Sequence, residues 1–143
     1  MSKTFTLSEA QTLVPVLDAL VRRAREAALR GSVLDEEMQR LNQRIFLSGG
    51  LHVDVPAAAR RRAEHDKAAQ QTKSTIEEIA EIGAEITDLE AGTLELPCAT
   101  EGRVVQLCWR LGETEILHWR EIDDEMDVRR NLTRGFGRGQ RLQ

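Results

Sequence analysis

Apolar residues recur every three or four positions over the first third of this chain. The series runs Leu7, Ala10, Leu13 or Val14, Leu17, Leu20 or Val21, Ala24, Ala28, Leu34, Met38, Leu41 and Ile45. A period near 3.6 held over so long a stretch lines one face of a helix, and such a face must be covered by something. Thr6-Leu7-Ser8-Glu9 marks the start as a capping box: the threonine hydroxyl accepts an orphan N–H while Glu9 reaches back. Pro15 removes one backbone donor inside the stripe, which predicts a bend there but no stop. Gly31-Ser32 interrupts helix propensity without breaking the phase. The reading is one long helix to about Arg44, with a break at Gly31 as the alternative. Ser48-Gly49-Gly50 closes it, residues 51–55 connect, and Pro56 suits the first turn of a second helix. His65, Ala69, Thr72, Ile76, Ile79 and Gly83 then share a face. Two long helices with a short connection pack as an antiparallel hairpin.

Gly83 and Gly92 bracket a change from helical spacing to short extended runs at 93–96, 104–109 and 115–119, with turns at Glu101-Gly102 and Leu111-Gly112-Glu113. Val105, Leu107 and Trp109 fall on one strand face, with Leu117 and Trp119 expected beside them. Gln106 and Cys108 fall on the other, with Ile116 and His118. The chain has 3% aromatic residues and no tyrosine, so Trp109 and Trp119 are expected to supply the aromatic core. The fold class that follows is α+β: a long antiparallel two-helix hairpin packed against a small antiparallel sheet of about three strands. Residues 1–131 read as a single domain and 132–143 as a flexible tail rich in arginine and glycine.

Composition narrows the function classes. A hydrophobic fraction of 41% and a charged fraction of 31% describe a globular protein with large solvated faces. No apolar run approaches the ~20 residues that span a bilayer, and MSKTFTLSEA lacks the continuous apolar core of an export signal. No membrane association is expected. Cys98 and Cys108 fit no CxxC pattern, and a cytoplasmic location would keep them as thiols. A net charge of −4 disfavours nucleic acid as a partner. Charge is nevertheless uneven: Glu121, Asp123, Asp124, Glu125 and Asp127 crowd one stretch, while Arg129, Arg130, Arg134, Arg138 and Arg141 follow with no acid among them. Arg60, Arg61 and Arg62 are adjacent, and so spread around a helix without lining one face.

No Walker-type loop, HExxH or GxSxG occurs. Gly135-Phe136-Gly137-Arg138-Gly139 lacks the preceding strand and following helix of a dinucleotide site. The metal or acid–base candidates are Glu113, His118 and Glu121, because a turn carboxylate and a strand imidazole can meet at a sheet edge and suit a divalent zinc, iron or manganese ion. The blander reading is a solvated acid and a half-exposed histidine. Cys108 could join His118 as a soft ligand, or pack as an inert thiol. His65 could meet acids of the first helix such as Glu37, or be a hydrogen-bonded histidine at the wet end of the hairpin. Glu113 occupies a turn position where Asn, Asp or Gly would gain more from the backbone. Its carboxylate is therefore expected to contact a cation or an arginine such as Arg129.

Three groups of residues carry a resemblance. Phe5, Thr6, Leu7, Glu9 and Ala10 match an FTLxEA helix start; Gly83, Asp88, Leu89, Glu90 and Gly92 match GxxxxDLExG; Cys108, Trp109, Gly112 and Glu113, followed by Trp119, match CWxxGE and its trailing tryptophan. In these the chain resembles the bacterial family known as domain of unknown function 2203. The resemblance covers most of residues 5–130 and implies a soluble bacterial protein with no activity to carry over. Two departures stand out. Arg120 occupies the place of a histidine that the family sets after the second tryptophan, and Glu125-Met126-Asp127-Val128 replaces a glycine-containing stretch, with Arg129 alignable to a late arginine.

The leading expectation is a small cytoplasmic binding or interaction protein without chemistry of its own, acting as a homodimer because the helical seam has more apolar area than a small sheet can cover. The alternative is a metal-binding protein or metal-assisted enzyme using Glu113 and His118. A lesser alternative is an RNA-associated factor acting through the basic tail, although that tail offers only Phe136 for stacking.

Overall fold

A computed structural model of the chain describes residues 3–50 and 54–132. Helix α1, Leu7–Leu47, starts where the capping box places it: the Thr6 N–H donates to Glu9 Oε1 at 2.8 Å and the Glu9 N–H to Thr6 Oγ1 at 3.1 Å. It runs through Pro15 and Gly31 without interruption, so the alternative break at Gly31 does not occur. Asp54 caps helix α2, Val55–Ile82, by accepting the Ala57 N–H at 3.1 Å, with Pro56 in the first turn as expected. No helix among the described residues is long and apolar enough to cross a membrane. The polypeptide forms two compact units: Arg23–Thr75, and the described residues up to Arg22 together with those from Ile76 onward.

The second of these holds the sheet, an antiparallel meander of β1 (Glu85–Asp88), β2 (Thr93–Thr100), β3 (Arg103–Arg110), β4 (His118–Glu121) and β5 (Arg130–Asn131) in spatial order of sequence. Five strands replace the expected three. The two additional strands lacked a signal for a physical reason: β1 is a largely exposed Glu-Ile-Thr-Asp and β5 is two exposed residues, so neither alternates between core and solvent. Alternation does hold in the central pair. Leu94, Leu96 and Cys98 of β2 and Val105, Leu107 and Trp109 of β3 pack on one face with Ala10, Val14, Leu17 and Val21 of α1 and Ile79 of α2. Trp109 is fully buried and its indole N–H donates to the Glu113 carbonyl at 2.9 Å. Trp119 shares this face but is only half-buried at its margin, between the guanidinium groups of Arg103 and Arg130, 5.9 and 5.6 Å from the ring centre.

The third expected strand, 115–119, is displaced to His118–Glu121. Ile116 is consequently in the core and Leu117 is 44% exposed, the reverse of the expected assignment. The cause lies on α1. The Gln11 carboxamide accepts the Ile116 N–H at 2.8 Å and donates to the Ile116 carbonyl at 3.0 Å, so both backbone groups of Ile116 are satisfied outside a strand ladder.

Within Arg23–Thr75 the two helices run antiparallel: Arg30 Nη2 bonds Gln71 Oε1 at 2.7 Å, and His65 lies 3.9 Å from Asp35. The buried seam consists of Ala24, Ala27, Ala68 and Thr75. Ala68 and Thr75 take the inward positions expected of Ala69 and Ile76, which are exposed and half-buried. Thr75 tolerates burial because its hydroxyl donates to the Gln71 carbonyl at 2.7 Å.

Candidate functional site

The polar face of the sheet is where the candidate residues gather. Period-two alternation turns Glu95, Cys108 and His118 away from the core, and strand register sets them side by side across β2, β3 and β4. Arg120 follows on the same face. Its Nε and Nη2 grip Glu95 Oε2 and Oε1 at 2.6 and 2.7 Å, with both side chains 8% exposed. A bidentate pair this buried stands only if the remaining donors are also used. Arg120 Nη1 donates to the carbonyls of Glu121, Ile122 and Asp124 at 3.2, 3.3 and 3.2 Å. One guanidinium thus fastens the loop after β4 to the sheet. Hydrogen bonding to Glu95 raises its pKa further still, so it is a fixed cation.

The Cys108 thiol points at the same carboxylate, 3.8 Å from Glu95 Oε2. Burial, then the neighbouring Glu95 charge, push it up to about 11. It stays protonated at neutral pH, and a protonated thiol is a poor nucleophile and a poor ligand.

Glu113 and His118 are brought together. His118 Nδ1 lies 3.6 Å from Glu113 Oε2, and this nitrogen is buried without a hydrogen-bond partner among the described residues. The other Glu113 oxygen accepts the Arg110 N–H at 2.7 Å, while the Glu113 N–H donates to the Arg110 carbonyl at 3.0 Å. The glutamate therefore closes the β3–β4 turn with both side chain and backbone. The expected contact with Arg129 does not form among the described residues; Arg129 is exposed and acts on the Cys108 thiol only through its charge. Glu121 joins no cluster with His118: it takes the opposite face of β4 and pairs with Arg103 at 2.8 Å. His65 lies in the hairpin, 3.3 Å from Asp66, with Asp35 rather than Glu37 as its neighbour on α1. Among the described residues no group of three or more His, Cys, Asp or Glu could hold a metal ion. The tail candidates, Arg134 to Arg141 with Phe136, lie outside the described residues.

Sequence reasoning missed Glu95, Gln11 and the task of Arg120. Glu95 sits between Leu94 and Leu96 in an apolar strand, and an acid there was a signal that a buried cation must face it.

A second cluster lies in the hairpin, at the helix ends flanking residues 48–54. Phe46 is 83% exposed, Leu47 74% and Val55 65%. Val55, Ala58, Ala59, Arg62, Ala63 and Asp66 line a shallow concavity of about 510 Å³. Arg40 and Arg44 stand in the last two turns of α1 and Arg60, Arg61 and Arg62 in the first two turns of α2, with no ion pair among the described residues. Between residues 40 and 62 the chain has five arginines and one acid, Asp54, against a net −4 for the whole.

The positions that carry the family resemblance do structural work. Gly92 adopts φ +76°, and a Cβ there would meet the Leu111 Cβ at 2.7 Å; Asp88 closes the same turn by accepting the Ala91 N–H at 3.1 Å. Gly83 adopts φ +115° against the Phe5 ring, where a Cβ would come within 2.9 Å. Trp109 fills the core and Glu113 ties its turn. Fold and polar face together define an α+β protein whose buried ionic groups brace loops. The chain belongs to the family of uncharacterised conserved proteins DUF2203, which it matches over residues 3–132. No curated protein and no solved structure matches it.

Proposed function

We propose that this chain is a cytoplasmic, non-catalytic interaction protein that works as a homodimer joined through its helical hairpin. The observation that carries the reading is the exposed apolar cluster of Phe46, Leu47 and Val55. Large apolar side chains left this open in one place mark an association surface more often than a solvated one. The chemistry on the polar face supports the same reading. Cys108 is held protonated, Arg120 is saturated by Glu95 and three carbonyls, and Glu113 is engaged by its own turn. Sedimentation of the untagged full chain tests it: self-association is expected, and a strict monomer at high micromolar concentration contradicts it.

One observation favours a second reading, a divalent cation held by Glu113 and His118: the buried Nδ1 of His118 lacks a hydrogen bond and faces the carboxylate at 3.6 Å. Elemental analysis of protein purified without a metal-affinity tag separates the two. Metal at one equivalent, reduced by Glu113→Gln, supports the second reading; substoichiometric metal removes its tightly bound form.

A further inference from the structure

The homodimer reading leaves open what meets the apolar and basic hairpin end, and the chain carries a surface of matching chemistry. Glu121, the last residue of β4, and the loop after it, with Asp123, Asp124, Glu125 and Asp127, form an acidic stretch with no basic residue. Two of these acids are already used, Glu121 by Arg103 at 2.8 Å and Asp124 by Arg130 at 2.8 Å. Asp123, Glu125 and Asp127 are exposed and make no ion pair among the described residues. Between them stand two exposed apolar side chains, Ile122 at 54% and Met126 at 62%. The hairpin end is the mirror of this pattern, with exposed Phe46, Leu47 and Val55 among five arginines, and an apolar concavity beside them.

Resting on the homodimer reading, we infer that the arginine-rich, apolar end of the hairpin in one copy docks on the acidic loop 121–127 of a second copy. Apolar contact supplies the attraction: Ile122 and Met126, whose sulfur is held from beneath by Arg120 Nη2 at 3.2 Å, meet Phe46, Leu47 and the concavity lined by Val55, Ala58 and Ala59. Opposite charges fix register and exclude the mispaired arrangements, acid loop on acid loop and arginine end on arginine end. The loop is also prepared for docking. Arg120 grips the carbonyls of Glu121, Ile122 and Asp124 from beneath, and Asp124 accepts the Glu121 N–H at 2.9 Å. A loop already ordered loses less freedom on binding. This gives the buried Glu95–Arg120 pair a positioning role in assembly. Because the two surfaces differ, a dimer closed by a two-fold axis contains the contact twice.

The test uses the full chain and a charge swap. One variant carries Arg60→Glu, Arg61→Glu and Arg62→Glu; the other carries Asp123→Lys, Glu125→Lys and Asp127→Lys. All six side chains are exposed or partly so, and circular dichroism melts confirm that each variant folds. Each variant alone should self-associate at least tenfold more weakly than the natural chain by light scattering. An equimolar mixture should recover association, because in the mixed pair both contacts join opposite charges: the Glu-bearing hairpin end meets the Lys-bearing loop, and the natural arginine end meets the natural acidic loop. Self-association of the natural chain should weaken between low salt and 0.5 M salt, an arm that needs no substitution. If the loop variant associates like the natural chain, the inference is overturned while the homodimer reading stands. If the natural chain is a strict monomer, both fall. An anionic lipid surface would be engaged by the arginine end alone. Co-sedimentation of a monomeric natural chain with phosphatidylglycerol vesicles, lost in the arginine variant and kept in the loop variant, would therefore also overturn the inference.

Discussion

The sheet-bearing unit and the Arg23–Thr75 hairpin are stabilised in different ways. In the first, large side chains interlock: Trp109, Leu17, Ile79, Leu94, Leu96, Leu107 and Ile116 are each less than 2% exposed. In the second, the fully buried positions are Ala24, Ala27, Ala68 and Thr75, and the larger Leu34, Met38, Leu41 and Ile45 are at best half-buried. Burial stabilises in proportion to apolar area, at roughly 25 cal/mol per Å², so the hairpin gains much less per residue. Its helices approach closely through small side chains and retain apolar surface outside the seam. A region so built has a thin core and something left to bind with. The teaching is that one chain can bury its large apolar side chains in one unit and leave those of another largely at the surface.

Substitutions can break this contrast. The largest effect is expected at the centre of the sheet unit, where Trp109→Ala should cost the upper part of about 3–5 kcal/mol in urea melts. A loss below 1 kcal/mol would mean that the core is not where the stability lies.

The buried ion pair comes next. Arg120→Leu strands the Glu95 carboxylate and should cost about 3 kcal/mol or more. Combining it with Glu95→Leu should recover most of that loss, since an apolar pair of this kind is tolerated. The part not recovered measures the carbonyls of Glu121, Ile122 and Asp124 that Arg120 no longer ties down. Full recovery in a double-mutant cycle would show that the loop clip contributes nothing.

In the hairpin the sign reverses. Gly31 lies inside α1, and a Cβ there would sit 3.8 Å from Ala68 Cβ, an ordinary contact. Gly31→Ala should therefore stabilise by up to about 1 kcal/mol through helix propensity alone. Destabilisation would indicate that the helices need the glycine to approach.

The smallest effect is a pH dependence at the loop after β4. Hydrogen bonds from Arg130, then the Glu121 N–H, hold the Asp124 carboxyl at about 2, below its ordinary 3.8. A carboxylate with a depressed folded-state pKa contributes stability that is present above 3.8 and lost as pH falls toward 2. Acid titration of stability should flatten across that window in Asp124→Asn. An unchanged titration would show that this pair contributes nothing to the fold.

The helices were legible because their determinants are local. The Thr6–Glu9 box, the apolar period and the Ser48-Gly49-Gly50 stop act within a few residues of one another. The antiparallel central strands were legible for the same reason, through alternation around Trp109 and the turn at Glu101-Gly102. What escaped was long-range. Gln11 pulls Ile116 out of strand register from 105 positions away, and Glu95 finds Arg120 across 25. No spacing rule connects such partners. Of the candidate site, the meeting of Glu113 with His118 and the shared face of Cys108 and His118 followed from a correctly read hairpin turn. Glu121 is separated from that group because it stands three positions after His118 in the same strand, and period-two alternation puts the two on opposite faces.

The division between a densely packed sheet unit and a thin-cored hairpin can be read directly by native-state hydrogen exchange of the full chain at low micromolar concentration. Amides of β2 and β3 should exchange only through global unfolding, whereas α1 and α2 amides within Arg23–Thr75 should open at a markedly lower free energy. Protection in the hairpin equal to that of β2 and β3 would contradict the account.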